Sequence, residues 1–435
     1  LLVNLRDHVY ANEAALLARA SGNGDASATF VAPDGQPVAE GADGADGTLA
    51  PVWVDPEMLW ACTTCGACEQ ECPVFISYVD KIVDMRRNLV MERGEFPDQL
   101  QNAFRGLESV GNPYSFANEQ RADWAAGLDI PLRSEKPDAE VLYWVGCAPS
   151  FDDRSRKIAR ATARLMKLAG VDFAILGPRE KCTGDPARRA GNEYLYQSLA
   201  QENVATLNEL GVRRIVTTCP HCFNALKNEY PDFGGRYEVV HHTTFLAELL
   251  RAGRLRPIAR RSATVVYHDS CYLGRYNDEY DAPRELLRAV PGLTLVEAPQ
   301  SRDRGMCCGA GGAQMWKEDE AIRRPGSREG DGKVNHARTR QLLRVLPAAP
   351  AAGAASAGSG ASGAAGAAPG AVGATGASSA AGAAPGTGSG GERVVASACP
   401  FCMTMLRDGL RDQGHEDVQP QDVAEILLQA VEAEG

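Results

Sequence analysis

Cysteine carries most of the chemistry that this sequence offers, because all thirteen cysteines of the chain fall in short motifs. The most specific motif is ACTTCGACEQECP, in which Cys62, Cys65, Cys68 and Cys72 follow the spacing C-x2-C-x2-C-x3-C-P. That spacing is typical of bacterial sequences that bind a 4Fe–4S cubane cluster. In two-cluster ferredoxins the fourth cysteine of such a run binds the other cluster. We therefore expect the first three cysteines to hold one cubane, with its fourth ligand upstream, and Cys72 to serve a neighbouring cluster.

Two further sets of cysteines follow at matched spacing, and both belong to an internal repeat. The first set is Cys147, Cys182, Cys219 and Cys222, and the second is Cys271, Cys307, Cys308, Cys399 and Cys402. The two sets begin 124 residues apart, and their first gaps are 35 and 36 residues. Both end in a CPxC motif, CPHC in the first and CPFC in the second. Soft thiolates in groups of four or five favour iron–sulfur clusters or zinc.

Other interpretations of the two repeats stay open at this point. A buried free cysteine is the default role for an isolated cysteine. Zinc bound by four cysteines is common, and the first repeat has four. CPHC between a strand and a helix resembles a thioredoxin-type dithiol, which would need neither Cys147 nor Cys182. Disulfides are disfavoured if the compartment is reducing.

The segments around the cysteines predict an α/β fold for the two repeats. Short apolar strands, such as EVLYWVG and ATVVYHDS, lead into cysteines, and amphipathic segments such as SRKIARATARLMKLAG follow them. This alternation predicts parallel sheets with helices on both faces. Because the carboxyl ends of parallel strands meet at one edge, the thiols of each repeat should converge there. After CPFC we predict a last pair of helices.

Changes of composition divide the chain into three parts. Residues 1–135 predict a small, mostly α, ferredoxin-type cluster domain, with a linker rich in Gly, Ala and Asp at residues 21–50. The first repeat would span residues 140–260 and the second residues 261–435. Within the second, residues 347–392 consist almost entirely of Pro, Ala, Gly, Ser and Thr, and we predict a disordered insertion because large apolar side chains are lacking. It lies between a helix and a strand, so it should spare the carboxyl edge of the sheet.

Charge and hydropathy exclude several classes of function. The net charge of −11 argues against binding to nucleic acid, whose phosphates require a basic surface. The sequence has no apolar run of the length that crosses a bilayer and no secretory signal peptide. It begins with Leu rather than Met, so we expect a fragment or a processed product. G-x-G-x-x-G does not follow any predicted strand, and we predict no flavin or nicotinamide site.

Three pairs of polar residues near the cysteine motifs are weaker candidates for a role at the sites. They are His241 and His242, His268 and Asp269, and Arg188 and Arg189. The histidine pair would serve as a proton carrier or quinone contact, or else as hydrogen-bonded structural groups. The His–Asp pair should orient the loop that carries Cys271. The arginine pair would set the reduction potential of the first site by charge or hydrogen bonding, or else would only be solvated at the start of a helix.

Several phrases together resemble a known family, the cysteine-rich CCG-domain iron–sulfur oxidoreductases of the heterodisulfide reductase B/D group. The phrases include CTGDPARRAGNEY, CPHCFNALKNEYP, HDSCYLGRYN and ACPFCMTML. They are most similar to the branch associated with electron-transfer flavoprotein. This resemblance implies electron transfer from that flavoprotein towards membrane menaquinone. It also implies an upstream membrane segment and a cytoplasmic location at the inner face of the cell membrane.

The same resemblance implies a noncubane 4Fe–4S cluster on five cysteines in each complete CCG domain. The second repeat keeps all five, and Cys307 and Cys308 are its candidates for chemistry beyond electron relay. In the first repeat Thr183 stands where the second cysteine of CCG is expected. An ordinary four-thiolate 4Fe–4S cluster or zinc is therefore expected there, and loss of the metal is the alternative.

Two rival functions remain at this stage. One is the iron–sulfur subunit of a glycolate, lactate or glycerol-3-phosphate dehydrogenase, or of a heterodisulfide-reductase-like complex. The other belongs to a different class, a zinc-bound scaffold protein.

Overall fold

Two four-stranded parallel sheets dominate the structure, one in each cysteine repeat. The computed structural model describes residues 2–20, 29–317, 332–348 and 391–431. The strands are β1 Val141–Trp144, β2 Phe173–Ala174, β3 Arg214–Thr217, β4 Glu238–His241, β5 Ala263–Tyr267, β6 Leu293–Val296, β7 Glu392–Ser397 and β8 Val418–Asp422. Their order is β2-β1-β3-β4 in the first sheet and β6-β5-β7-β8 in the second. The two sheets share one topology, and the α/β prediction is confirmed.

Helices cover both sheets and build the N-terminal part. The α-helices of the described residues are α1 Leu2–Ala11, α2 Glu13–Ala20, α3 Pro56–Trp60, α4 Ala67–Gln70, α5 Val79–Arg87, α6 Leu100–Val110, α7 Cys147–Phe151, α8 Asp153–Leu168, α9 Asp185–Arg189, α10 Glu193–Glu209, α11 Pro220–Asn224, α12 His242–Arg251, α13 Asp281–Ala289, α14 Val334–Leu343, α15 Pro400–Asp412 and α16 Val423–Val431. Short π-helical segments, Asn88–Arg93 and Ala225–Glu229, continue α5 and α11.

The central strands are buried on both faces, as a parallel sheet between two helical layers requires. All four residues of β1 are at most 1% exposed, and β1 pairs in parallel with both β2 and β3. Helix α8 packs its apolar face inwards, with Ile158, Leu165 and Met166 fully buried. Burying each such side chain contributes about 1.5–3 kcal/mol to folding. This core fixes the positions at which the strands end.

The prediction for the C-terminal segment was wrong in one respect. Helices α15 and α16 are present, but the strand β8 lies between them and pairs in parallel with β7. Its sequence, VQPQD, is polar and contains Pro420, so it lacks the apolar signature of a buried strand. Proline is tolerated because β8 is at the edge of its sheet and has only one neighbouring strand.

The predicted linker and insertion are only partly described. Residues 29–50 form turns and one isolated antiparallel bridge between Val31 and Pro37, whereas residues 21–28 lie outside the described residues. Most of the predicted insertion, residues 349–390, also lies outside them. The disorder of the insertion and the domain boundaries therefore stay predictions.

A buried arginine joins the N-terminal part to both repeats. The guanidinium of Arg86 donates hydrogen bonds to the carbonyls of Leu59 at 2.5 Å and Cys62 at 2.7 Å. It also donates to the carbonyl of Arg189 in the first repeat at 2.7 Å and to that of Gly312 in the second at 3.1 Å. Burial lowers the pKa of Arg86 to about 10, so it stays protonated at neutral pH. One side chain thus holds three parts of the chain together.

Replacing Arg86 with Met should lower the free energy of unfolding by about 3 kcal/mol or more, because four carbonyls each lose the hydrogen bond that its guanidinium donates. The stability of Arg86→Lys should lie between those of the unmodified protein and Arg86→Met, since Lys keeps the charge but has fewer and differently directed donors. Urea unfolding of anaerobically purified protein measures the loss. Lys81→Met is the matched control, because Lys81 is exposed on the same helix. Equal losses in the Met variants at the two positions would contradict this role.

Candidate metal centres

The cysteines of both repeats lie beyond the carboxyl ends of the strands, where the sequence predicts them. Cys147 begins α7 directly after β1, and Cys219 precedes α11 after β3. In the second repeat Cys271 follows β5 and Cys399 precedes α15 after β7. The remaining cysteines lie in the loops that follow β2 and β6 or in the first turns of α11 and α15.

Glycines let the chain turn tightly beside the thiols. Gly184 has φ +84° and follows the loop of Cys182, and Gly309 has φ +101° and follows Cys308. L side chains rarely adopt such backbone angles, so these two turns favour glycine.

The five cysteines of the second repeat form one buried group of sulfur atoms. The Sγ atoms of Cys308 and Cys402 lie 3.2 Å apart. Cys307 is a hydrogen-bond neighbour of both Cys271 and Cys308. The Sγ of Cys399 accepts from the backbone N–H of Cys402 at 3.5 Å. Hydrogen bonds from Cys307 and Cys402 hold the pKa of Cys308 well below its usual value, which favours the thiolate that binds a metal.

The four cysteines of the first repeat line one pocket. Thr183 occupies the place that corresponds to Cys308, because its Oγ1 lies 3.9 Å from the Sγ of Cys222. Cys222 and Cys402 are the last cysteines of the two CPxC motifs, so the two contacts are equivalent. Although burial opposes ionisation, a hydrogen bond from Cys182 and the guanidinium of Arg121 lower the pKa of Cys147 to about 7.

Arg121 is a residue of the first site that the sequence motifs did not indicate. It is buried, and its Nη2 lies 3.4 Å from the Sγ of Cys147 and 2.8 Å from Glu180 Oε1. Glu180 also accepts from the backbone N–H groups of Val145 and Gly146. It therefore positions the loop before Cys147. Arg121 lies in the segment ANEQRADWA, which has no motif that would have revealed this contact.

The N-terminal motif approaches the second repeat. Cys65 is a hydrogen-bond neighbour of Cys307, and this contact, followed by burial, raises the pKa of Cys65. Arg275 of the second repeat donates to the carbonyl of Cys65 at 2.8 Å. Cys72 has a separate environment, in which its Sγ accepts from the N–H of Ile76 at 3.4 Å and lies 3.6 Å from the hydroxyl of Tyr78.

The two repeats also meet at their sulfur atoms. Cys219 of the first repeat is a hydrogen-bond neighbour of Cys399 of the second. Cys65 of the N-terminal motif contacts Cys307 of the second repeat in the same way. The thiols therefore form a continuous series that runs from the N-terminal motif through the second repeat to the first. The second repeat is the middle part of this series.

The histidine pair joins the two sheets. His241 ends β4, and its ring lies 2.8 Å from the Thr243 hydroxyl and 3.3 Å from the Thr218 carbonyl. The ring nitrogens of His241 and His242 are 3.3 Å apart, and His242 Nε2 lies 3.1 Å from Asp422 Oδ1 at the end of β8. Both rings are fully buried. This environment supports the structural alternative for the pair.

The arginine pair is neutralised by acidic residues. Arg189 donates to Asp185 Oδ1 at 3.1 Å and pairs with Glu229, which also lies 3.0 Å from Arg188. Asp185 contacts His221 Nδ1 at 3.0 Å. Against the effect of burial, His221 and Arg189 lower the pKa of Asp185 to about 2. The pair thus belongs to a charge network beside the first site and is not a free positive charge there.

His268 and Asp269 take different roles beside the second site. Asp269 accepts two hydrogen bonds from the guanidinium of Arg284, at 2.7 and 2.9 Å. One ring nitrogen of His268 and the Sγ atoms of Cys308 and Cys402 lie within 4.8 Å of one another. The histidine is therefore part of the wall of the site.

Comparison with known proteins is consistent with this geometry. The family model described as cysteine-rich domain, CCG, matches residues 141–227 and 265–330. The match and the two sets of converging thiols define the class of protein, in which cysteine-rich CCG domains occur in tandem. No helix among the described residues has both the length and the apolar character to cross a membrane.

Similar proteins then identify the family. The probable iron-sulfur-binding oxidoreductase FadF of Bacillus subtilis (strain 168) is 40% identical over 448 residues, which is 99% of this chain and 56% of that protein. The EtfAB:quinone oxidoreductase of Syntrophomonas wolfei is 37% identical over 439 residues, 99% of this chain and 54% of that protein. The D-type subunit of the dihydromethanophenazine:CoB–CoM heterodisulfide reductase of Methanosarcina mazei is 30% identical over 378 residues, 85% of this chain and 77% of that protein.

The chain belongs to the family of CCG-domain iron–sulfur oxidoreductases that includes the D-type subunit of heterodisulfide reductase. It spans about half the length of the first two relatives. The residues of the site fit the iron–sulfur binding that this family implies, because buried thiols are the ligands that such clusters use.

Proposed function

We propose that this chain is an iron–sulfur electron-transfer subunit that passes electrons from electron-transfer flavoprotein towards membrane menaquinone. The observation that carries the proposal is the continuous series of thiols through the N-terminal motif and both repeats. The names of two relatives, an iron–sulfur-binding oxidoreductase and an EtfAB:quinone oxidoreductase, support it. We place the chain at the cytoplasmic face of the cell membrane, attached through sequence upstream.

Each set of cysteines would hold one centre. A bound iron–sulfur cluster supplies one-electron exchange at a potential that its surroundings set. Cys62, Cys65 and Cys68 would bind a cubane together with an upstream ligand, and Cys72 a neighbouring one. The second repeat would bind a noncubane 4Fe–4S cluster through Cys271, Cys307, Cys308, Cys399 and Cys402. The first would bind a four-thiolate cluster or zinc through Cys147, Cys182, Cys219 and Cys222.

The chain's own residues would bury and orient these centres. The protein packs all nine thiols of the two repeats away from solvent, which excludes water and competing oxidants. The Arg121–Glu180 pair fixes the loop of Cys147, and Gly309 gives the loop after Cys308 its tight turn. Cys307 and Cys308 adjoin both the N-terminal motif and the CPFC loop. We propose that chemistry beyond relay, the coupling of one-electron steps to a two-electron acceptor, occurs at these two residues.

Anaerobically purified protein should contain iron and acid-labile sulfide, and reduced electron-transfer flavoprotein should reduce it rapidly in stopped-flow absorbance measurements. Replacing Cys399 with Ser should slow that reduction, because the contact between the repeats and one ligand are both lost. Ser301→Ala is the control, because it alters a partly exposed serine outside the cysteine motifs. A colourless protein with stoichiometric zinc and no sulfide would show that the chain is a scaffold instead.

A further inference from the structure

Two buried nitrogen atoms beside the second site have no hydrogen-bond partner among the described residues. They are Nε2 of His268 and Nη2 of Arg338, whose side chains are at most 1% exposed. Leaving a buried donor unsatisfied costs about 1–3 kcal/mol, and more when the group is charged. Such a pair of orphaned donors is expected where a bound group supplies the acceptor.

The contact between these two residues decides which ring nitrogen of the histidine carries the proton. Nε of Arg338 lies 3.0 Å from Nδ1 of His268. A guanidinium only donates, so Nδ1 accepts. Because Nδ1 accepts, it carries no proton, and Nε2 carries the only N–H of the ring. The free nitrogen is therefore a hydrogen-bond donor and has no lone pair with which to bind iron.

These donors lie beside sulfur. One ring nitrogen of His268 lies within 4.8 Å of both Cys308 Sγ and Cys402 Sγ. Since Nδ1 accepts from Arg338, Nε2 is the nitrogen of this ring that can donate to a bound group. The charge of Arg338 also acts on these cysteines, since Asp269 and then the thiolates of Cys308 and Cys402 oppose the lowering of its pKa by burial. The pKa of Arg338 is nevertheless about 10, so the guanidinium is charged at neutral pH.

The buried arginine of the first repeat is held differently. There the buried arginine, Arg121, forms an ion pair with the equally buried Glu180 at 2.8 Å, and its Nη2 lies 3.4 Å from the Sγ of Cys147. Arg338 has no carboxylate within ion-pair distance in the part of the chain that the structure describes. Its other hydrogen bonds go to the carbonyl of Gln300, at 3.0 Å, and to the side-chain oxygen of Gln341. Two similar cysteine sets thus lie in different electrostatic surroundings.

We propose that His268 and Arg338 donate hydrogen bonds to the sulfur atoms of the second-repeat centre and thereby raise its reduction potential. N–H donors and a nearby positive charge stabilise the reduced, more negative state of a cluster. The step affected is the gain of one electron, which the proposed flavoprotein donor supplies, and it makes or breaks no bond. This inference rests on the proposed iron–sulfur function.

A redox titration of the anaerobically purified protein, followed by electron paramagnetic resonance, tests the proposal. Arg338→Gln and His268→Leu should each lower the equilibrium constant for one-electron reduction of the second-repeat centre by about tenfold, which corresponds to about 59 mV. Arg338→Lys and His268→Gln, which keep a charge or a donor, should stay closer to the unmodified protein. Arg344→Gln is the matched control, because it removes the same charge from an exposed position at the end of α14.

The outcomes separate this inference from the proposed function. Absence of iron and sulfide from the unmodified protein would refute the function itself. Normal iron content with an unchanged potential in both Arg338→Gln and His268→Leu would refute only the donor pair. If Arg338→Gln loses its iron, the potentials of the His268 variants and of Arg338→Lys are measured instead. Unchanged potentials at normal iron content in those variants would refute the donor pair. A strong ¹⁴N coupling that disappears in His268→Leu would show direct ligation and also overturn the donor role.

Discussion

Replacing Cys308 with Ser or Thr should abolish the distinctive paramagnetic signal of the second-repeat centre and the transfer of electrons from flavoprotein to quinone. The second repeat has one cysteine more than the first, and that cysteine is Cys308. Its Sγ lies 3.2 Å from that of Cys402, and in the first repeat the hydroxyl of Thr183 lies 3.9 Å from Cys222. Cys308→Thr therefore gives the second site the ligand set of the first. An unchanged signal and unchanged turnover would contradict a noncubane centre at this site.

The reciprocal substitution completes this experiment. Thr183→Cys supplies the first repeat with a fifth thiol at the place where the second repeat has one. We expect it to produce a second noncubane signal and to change the metal content of the chain. Thr162→Cys is the matched control, because Thr162 is fully buried on α8, outside the cysteine loops. If Thr183→Cys and Thr162→Cys give the same spectrum, the missing cysteine does not set the difference between the repeats.

The N-terminal motif should respond very differently to the loss of Cys65 and the loss of Cys72. On the two-cluster pattern Cys62, Cys65 and Cys68 supply three ligands of one cubane, so we expect iron at this motif to be more labile than iron at the CCG centres. Cys65→Ser should remove that labile iron, and Cys72→Ser should leave it unchanged. The contacts of Cys72 with Ile76 and Tyr78 agree with its separate role.

Iron content and the signals of reduced samples measure this difference. The natural control is the serine variant at Cys72 itself, which alters a cysteine of the same motif. A stable cubane that depends equally on Cys65 and Cys72 would show that all four local cysteines serve one cluster. The two-cluster interpretation would then be wrong for this chain.

Much of the fold was predictable because its signals are local. Short apolar strands that end in cysteines determine both the parallel sheets and the edge at which the thiols meet. The edge strand β8 was not predictable, because its residues are polar and include Pro420. Its parallel pairing with β7, rather than its own propensity, makes it a strand.

The parts of the site that escaped prediction all act across long stretches of sequence. Arg121 reaches Cys147 from 26 residues away, and Arg338 reaches His268 from 70. A lone arginine on a helix has no spacing rule that indicates such a contact. The meeting of Cys219 with Cys399 was equally hidden, since the sequence predicts each sheet but not how the two sheets lie against each other.

The contact of His242 with Asp422 has a consequence for the speed of electron exchange. It joins the carboxyl ends of β4 and β8. Each is an edge strand, next in its sheet to the strand that leads into a CPxC motif. Electron tunnelling slows steeply as the gap between two centres widens, so even a small hinge motion would make the rate fluctuate. The fully buried contact between His242 and Asp422 should hold the distance between the two repeats constant. With a cluster in both repeats, electron exchange between them should therefore be independent of solvent viscosity.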